Sequence, residues 1–142
     1  MDALLQKLVG KWEITGTVRG QHVKQSVTVD RVLKNRYVRL HLVDLGKPPA
    51  YEALVIIGVD TAGRQYVAHW MDDFGAGYSI PPGTGTARGD TILIDFAYPD
   101  HPFHDTFTYN AATTTWHWLL ESAESAERRT VFAEYDLRRT RR

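Results

Sequence analysis

Alternation of apolar and polar residues is the feature that most constrains how this chain can fold. In the segment GKWEITGTVRGQHVKQSVTV, Trp12, Ile14, Gly16 and Val18 occupy every second position. Because successive side chains of a strand point to opposite faces, this pattern predicts a half-buried strand. Turn residues punctuate similar segments along the chain, which is typical of an all-β sandwich or barrel. Further strands are predicted at Tyr51–Val59, Gln65–Met71, Gly77–Ala87, Thr91–Tyr98, Phe103–Tyr109, Trp116–Glu121 and Thr130–Arg138.

The first hairpin has a register that its turn predicts. A two-residue loop at Gly20-Gln21 places glycine where a type II′ turn requires it. All the apolar residues then fall on one face, and a slip of one residue would reverse every side chain. The predicted pairs are Arg19 with His22, Val18 with Val23, Gly16 with Gln25, Ile14 with Val27 and Trp12 with Val29.

The segment LKNRY predicts the second hairpin. A loop at Lys34-Asn35 pairs Val29 with Leu40 and Val27 with Leu42. The inner face then continues through Val38, Leu40 and Leu42.

The number of strands and the short connections between them predict closure. Asp2 can cap a short helix over residues 3–9, which Gly10 ends. Roughly ten strands in an antiparallel meander tend to close, because closure removes exposed edges. We therefore predict a single domain, residues 1–142, forming an up-and-down β-barrel with a short N-terminal helix at one end.

The predicted interior is aromatic, with isolated polar residues. If YPDHPF is a loop, Tyr98 pairs with Phe103 and Phe96 pairs with Asp105, which puts a carboxylate among aromatic rings. Gln25 is a second inward polar residue. Either residue could hydrogen-bond a buried tyrosine or backbone group, or could face a ligand. The other predicted inward residues are Ile94, Phe107, Trp116, Trp118, Leu120, Val131, Ala133, Tyr135 and Leu137.

The hairpin YEALVIIGVDTAGRQYVAHWMDD is apolar on both faces. A three-residue loop containing Gly63 would pair Asp60 with Arg64. Val55, Ile57 and Val59 would then share a face with Val67, His69 and Met71, and the other face would carry Glu52, Leu54, Ile56, Gly58, Tyr66, Ala68, Trp70 and Asp72. One face must line the barrel, and we expect a second copy of the chain to cover the other in a homodimer.

Several of these residues resemble a known superfamily. The helix, the Gly10-x-Trp12 motif, the antiparallel meander and an arginine after the last strand resemble the calycins, which include lipocalins and fatty-acid-binding proteins. The resemblance implies that Trp12 packs at a closed end with an arginine across it. Arg139 shares the parity of Tyr135 and is the better match, with Arg138 as the alternative.

The sequence resembles one bacterial family more closely, the lipocalin-like domains of unknown function. The segments LVGKWEITGTV, GVDTAGRQYVAHWMDDFG and FTYNAATTTWHWLLE are similar to its pattern, in that order. Its Tyr-Val-x-x-Trp-x-Asp element matches Tyr66, Val67, Trp70 and Asp72, and this implies that Trp70 and Glu52 point inward and His69 outward. The resemblance implies a fold and a small-molecule site but no reaction.

Composition excludes several other functions. The 142 residues contain no cysteine, and the formal net charge is zero, so we expect no thiolate metal site and no nucleic-acid partner. The first residues lack the features of a signal peptide and no later segment would span a membrane, so we expect a cytoplasmic protein. The six histidines share no inward ligand spacing, and we predict no metal, haem or other cofactor.

Three functions remain open from the sequence. The first is a barrel that binds a small apolar or aromatic molecule. The second is a barrel enzyme that uses Asp105 or Glu52 as acid or base. The third is a filled barrel that serves as a dimeric interaction module. The predicted ligand-binding residues are Trp12, Gln25, Glu52, Trp70, Tyr98, Asp105, Tyr109, Trp118 and Tyr135.

Overall fold

The described residues form ten antiparallel strands that close into a barrel, as predicted. The structure is a computed structural model, and it describes residues 2–60, 62, 64–125 and 127–140. Each strand pairs with the next along the chain, and the last pairs with the first. The elements are α1 (Ala3–Gln6), β1 (Gly10–Val18), β2 (Gln21–Val32), β3 (Tyr37–Asp44), β4 (Glu52–Asp60), β5 (Gln65–Asp72), a 3₁₀ turn (Ala76–Ser79), β6 (Gly83–Arg88), β7 (Thr91–Phe96), β8 (Phe103–Asn110), β9 (Thr115–Ser125) and β10 (Arg128–Arg139).

The β1–β2 hairpin differs from its predicted register by two residues. Arg19 and Gly20 form the loop with positive φ angles of 50° and 77°, which is a type I′ rather than a type II′ arrangement. Gly16 therefore pairs with Val23 and Ile14 with Gln25. Because the shift is even, the predicted inner and outer faces are preserved. The β2–β3 register is confirmed, with Val29 opposite Leu40.

The β4–β5 register was predicted wrongly by one residue. Asp60 pairs with Gln65, so Val55 lies opposite Trp70 and Ile57 lies opposite Ala68. An odd shift exchanges the faces of one strand relative to the other. The predicted loop depended on Gly63, which lies outside the described residues.

Glu52 was wrongly predicted to point inward. It lies on the outer surface, where its side chain is 56% exposed and contacts His41 across the strands. The inward residues of β4 are Ala53, Val55 and Ile57, which are all buried.

The β7–β8 hairpin and strand β10, in the second half of the chain, also depart from the predictions. In β7–β8, Phe96 pairs with Phe103 and Ile94 with Asp105, a shift of two residues that keeps the predicted faces. In β10, the pairing with β9 shifts between Val131 and Ala133, and Val131 is exposed rather than inward. The bulge adds one residue and so changes the parity before Ala133.

The segment from Gly77 to Ala87 is not one strand. A 3₁₀ turn occupies Ala76–Ser79, and β6 begins only at Gly83.

Helix α1 and its neighbours seal one end of the barrel, which we call the helix end. Asp2 caps the helix by accepting a hydrogen bond from the Leu5 N–H at 3.0 Å. The Trp12 indole is fully buried and donates to the Leu8 carbonyl at 2.7 Å. Arg139 lies across this indole, 4.4 Å from its centre, and donates to the Val9 carbonyl at 3.2 Å. The predicted contact between Trp12 and Arg139 is therefore confirmed.

The opposite end, which we call the far end, carries the longer connections. It includes the turn after β1 and the segments 45–51, 73–82 and 97–102. The connections at the helix end, such as 33–36 and 89–90, are shorter than these three segments. Long connections at one end of a barrel usually carry binding residues, because the strands beneath hold them in place. In the part of the chain that is described, no helix has the length and apolar character needed to cross a membrane.

Candidate functional site

Asp105 is a carboxylate buried inside the barrel. It lies on β8 between Ile94 of β7 and Leu120 of β9, and it is 3% exposed. The Trp118 indole N–H donates to its Oδ2 at 3.1 Å. Burial raises the pKa of the Asp105 carboxyl from 3.8 to about 7, a rise that the Trp118 hydrogen bond opposes and the Asp95 charge reinforces. A carboxylate can accept several hydrogen bonds, and one indole leaves most of that capacity unused.

Gln25 is the second buried polar side chain. It lies on β2 between Ile14 and Asp44 and is 3% exposed. Its Oε1 is fully buried and accepts no hydrogen bond within the described part of the chain. A buried acceptor without a donor destabilises a fold by about 1–3 kcal/mol, so such an atom calls for an explanation.

Tyr135 links these two polar residues. It lies on β10, opposite Gly16 on one side and Trp118 on the other. Burial raises the pKa of the Tyr135 hydroxyl to about 12; the adjacent Gln25 side chain partly opposes this rise, and the Asp105 charge adds to it. Trp118, which donates to Asp105, also contacts the Tyr135 ring at a centre-to-centre distance of 5.5 Å. We call Gln25, Asp105 and Tyr135 together the interior polar site.

Aromatic rings connect the interior polar site to the far end. Trp118 stacks on Phe107, with ring centres 4.6 Å apart, and also contacts Tyr135 and Trp70. The series of ring contacts then continues toward the far end through Trp70, Phe96, Tyr98, Phe103 and Phe132. Stacked and edge-on rings supply a large apolar surface with few rotatable bonds.

Tyr98 ties this series to the far-end connection. Its hydroxyl donates to the Tyr78 carbonyl at 3.0 Å. Burial raises the pKa of the Tyr98 hydroxyl to about 12, and the charges of Asp105 and Asp72 add to the increase. The negative charges of both carboxylates are therefore felt at the Tyr98 hydroxyl.

A second polar cluster lies at the far end, around Asp72. Asp72 Oδ2 accepts hydrogen bonds from the Tyr51 hydroxyl at 2.8 Å and the Trp70 indole at 3.1 Å. Its Oδ1 accepts from the Phe74 backbone N–H at 3.1 Å. Burial, followed by the Asp72 hydrogen bond, raises the pKa of the Tyr51 hydroxyl above its usual range. Asp72 thereby fixes the orientation of Trp70 and the start of the connection to β6.

Sequence reasoning missed Tyr51 and gave Asp72 no role. The available signal was Trp70-x-Asp72, because a spacing of two places both side chains on one face of β5. Tyr51 lies just before β4, where the alternation that predicted the other inward residues ends.

The predicted ligand-binding residues do not form one cluster. Six of them belong to the interior polar site or to the aromatic series that extends from it toward the far end. These six are Gln25, Trp70, Tyr98, Asp105, Trp118 and Tyr135. Trp12 and Tyr109 lie at the helix end, where Tyr109 packs on Trp116 and beneath the Lys7 ammonium. Glu52 lies outside the barrel.

The histidines lie on the outer surface or in loops. His41, His104 and His117 contact Glu52, Asp95 and Glu134 respectively, and His69 is exposed as the resemblance implied. Among the described residues, no group of three or more histidine, aspartate or glutamate side chains is placed to hold a metal ion.

An open depression of about 440 Å³ lies on the β1–β2 hairpin. Thr15, Gly16, His22, Val23 and Lys24 line it. Its position on the β1–β2 hairpin separates it from Asp105, and it contains no buried charged side chain.

The fold and its interior define a class of protein: a closed, ten-stranded antiparallel β-barrel with a polar site buried among aromatic rings. The chain belongs to the family described as "Protein of unknown function (DUF1579)", which matches residues 1–128. No curated protein matches the sequence.

Proposed function

We propose that this chain is a lipocalin-like binding protein that holds one small, largely apolar molecule in the far half of its barrel. The observation that carries the proposal is the buried Gln25 Oε1, which has no donor in the described structure. A ligand with a donor group would satisfy that oxygen. The aromatic rings from Trp118 to Tyr98 would pack against the apolar part of the ligand.

The helix end is a poor position for such a ligand. Leu5, Leu8 and Trp12 fill it, and each is almost completely buried. Its tryptophan N–H groups are already bonded to the carbonyls of Leu8 and Lys7. The far end combines longer connections with exposed aromatic side chains such as Phe74 and Tyr78. We therefore assign the opening of the barrel to the far end.

An acid–base enzyme is the weaker alternative. Of its two candidate residues, Glu52 lies on the outer surface beside His41, where it cannot act on a ligand inside the barrel. Asp105 then remains as a single buried acid, and its hydrogen bond to Trp118 is as compatible with ligand binding as with catalysis.

The proposal extends to a homodimer through the outer face of β4–β5. Leu54 and Met71 are directly paired on that face and are 36% and 40% exposed. Exposed apolar pairs of this kind are common in contacts between subunits. This contact is independent of the interior polar site.

A pair of tryptophan insertions tests ligand binding inside the barrel. Val23 lies on the inner face of β2 near the far end, and Lys24 follows it on the outer face. Isothermal titration calorimetry with 2-phenylethanol should give saturable binding for the parent and for Lys24→Trp. Val23→Trp should bind at least about tenfold more weakly, because its indole occupies the ligand's space, a difference of about 1.4 kcal/mol. Equal binding by both variants would contradict the proposal.

A further inference from the structure

The interior polar site contains a carboxylate, and the described residues place no cation beside it. Gln25 and Asp105 are the buried polar or charged side chains among the residues that the structure describes, and no described lysine or arginine is buried with them. A carboxylate ligand would place a second negative charge beside Asp105 without a compensating cation. An anionic ligand is therefore disfavoured in this barrel.

The surrounding rings favour a cation over a neutral donor. Trp118 stacks on Phe107, and Trp70 and Tyr135 contact it at ring-centre distances of 5.7 and 5.5 Å. The faces of indole and phenol rings carry negative partial charge and attract ammonium groups. Such an attraction is strengthened where the group is removed from water.

The number of hydrogen-bond donors on the ligand also favours an ammonium group over a hydroxyl. An ammonium group carries three N–H donors, whereas a hydroxyl carries one. Within the residues that the structure describes, Gln25 Oε1 accepts no hydrogen bond and Asp105 accepts one from an indole, so the site offers acceptors for more than one donor. A hydrogen bond between ionised groups is about twice as strong as one between neutral groups.

We infer that the barrel selects small apolar amines, with the ammonium group held by Asp105 and Gln25 and the apolar body lying along the aromatic rings toward Tyr98. This inference rests on the proposed function, because it names the class of ligand for the same site. The raised pKa of Asp105, about 7, means that the carboxylate is mostly ionised in mildly alkaline solution, where the amine remains protonated.

Three probes with one phenyl body and different head groups test this inference. Binding of 2-phenylethylamine, 2-phenylethanol and phenylacetate is measured by isothermal titration calorimetry near pH 8. We expect the amine to bind at least about tenfold more tightly than the alcohol, and phenylacetate to bind more weakly than both. Equal affinity of the amine and the alcohol would overturn the inference and leave the proposed function standing. Tightest binding by phenylacetate would also overturn it.

Two variants assign the effect to the interior polar site. Asp105→Asn should reduce amine affinity to about that of the alcohol and change alcohol affinity less than about threefold, since only the charge is removed. Asp136→Asn removes a carboxylate on the exposed face of β10 and should leave both affinities unchanged. Gln25→Met, which removes the acceptor with little change in volume, should weaken both probes.

The remaining outcomes are equally decisive. A preference for the amine that persists in Asp105→Asn would overturn the role of Asp105. Absence of binding by all three probes would overturn this inference together with the proposed function.

Discussion

Asp105 and Gln25 share a degree of burial but differ in what burial does to them. Gln25 is neutral, and burial leaves its oxygen without a donor from the described part of the chain. Asp105 is ionisable, and burial opposes its charged form, which raises its pKa. A ligand donor relieves both effects, because it supplies a hydrogen bond to the amide and a favourable interaction to the carboxylate.

The raised pKa of Asp105 predicts how stability depends on pH. Between about pH 4 and pH 7, the folded protein holds a proton on Asp105 that the unfolded chain has released. The stability contributed by this protonation is present below pH 3.8 and is lost as the pH rises through about 7. Between these two pH values, the contribution of Asp105 to the free energy of unfolding falls by about 4 kcal/mol. Asparagine does not ionise, so the Asp105→Asn variant lacks this pH dependence. The variant should therefore be more stable than the parent above about pH 7 and similar in stability near pH 4.

Urea denaturation of both proteins across this pH range checks the prediction. The difference between the two stability curves isolates Asp105 from the other ionisable groups of the chain. Asp136→Asn, on the exposed face of β10, is the matched control and should follow the parent at each pH. A stability difference between Asp105→Asn and the parent that does not change with pH would contradict the assigned burial.

Inward polar residues were partly predictable from the sequence. Alternation with apolar neighbours placed Gln25 and Asp105 inside, and both are buried. Glu52 was placed inward by the family resemblance, which put Trp70 inside, together with a β4–β5 register that was wrong by one residue. The Asp72–Tyr51 hydrogen bond joins residues on different elements and has no local sequence signal.

At the level of elements, alternation is a more robust guide than register. The β1–β2 and β7–β8 hairpins each shift by two residues, and both keep their predicted faces. The β4–β5 hairpin shifts by one residue, which moved Trp70 opposite Val55. The bulge before Ala133 has the same effect in β10. Turn type and bulges depend on backbone angles, which glycine and asparagine positions only partly specify.

The observed β4–β5 register identifies the residues that a dimer contact would use. Leu54 and Met71 point outward, whereas Val55 is buried inside the barrel. Leu54→Lys should convert the proposed homodimer to monomers in sedimentation velocity at micromolar concentration, because a buried lysine without a partner opposes association. Thr86→Lys, at an exposed position on β6, is the control and should remain dimeric. A parent protein that already sediments as a monomer would contradict the dimer.

The molecule as a whole divides into two halves with different properties. The helix end is sealed by α1, Trp12 and Arg139, and its indole N–H groups bond to backbone carbonyls. The far half contains the interior polar site and the aromatic series from Trp118 to Phe132. Closure of the barrel was predictable from the number of strands and the short connections. A sealed end at Trp12 was implied by the family resemblance, but the position of the interior polar site was not predictable, because it depends on which inward residues lie at the same height across ten strands.

The four tryptophans are divided between these two halves, so their NMR signals distinguish one half from the other. Trp12 and Trp116 lie at the helix end, whereas Trp118 donates to Asp105 and Trp70 donates to Asp72. Their indole N–H signals can be assigned in a ¹⁵N–¹H correlation spectrum with single Trp→Phe variants.

Titration of that spectrum with 2-phenylethylamine is the most direct test of ligand binding in the far half. The Trp118 and Trp70 signals should shift and saturate together, since the ligand competes for or polarises their acceptors. The Trp12 and Trp116 signals should stay in place. Saturable shifts confined to Trp12 and Trp116, or no saturable shift at Trp118, would contradict a binding site at Gln25 and Asp105.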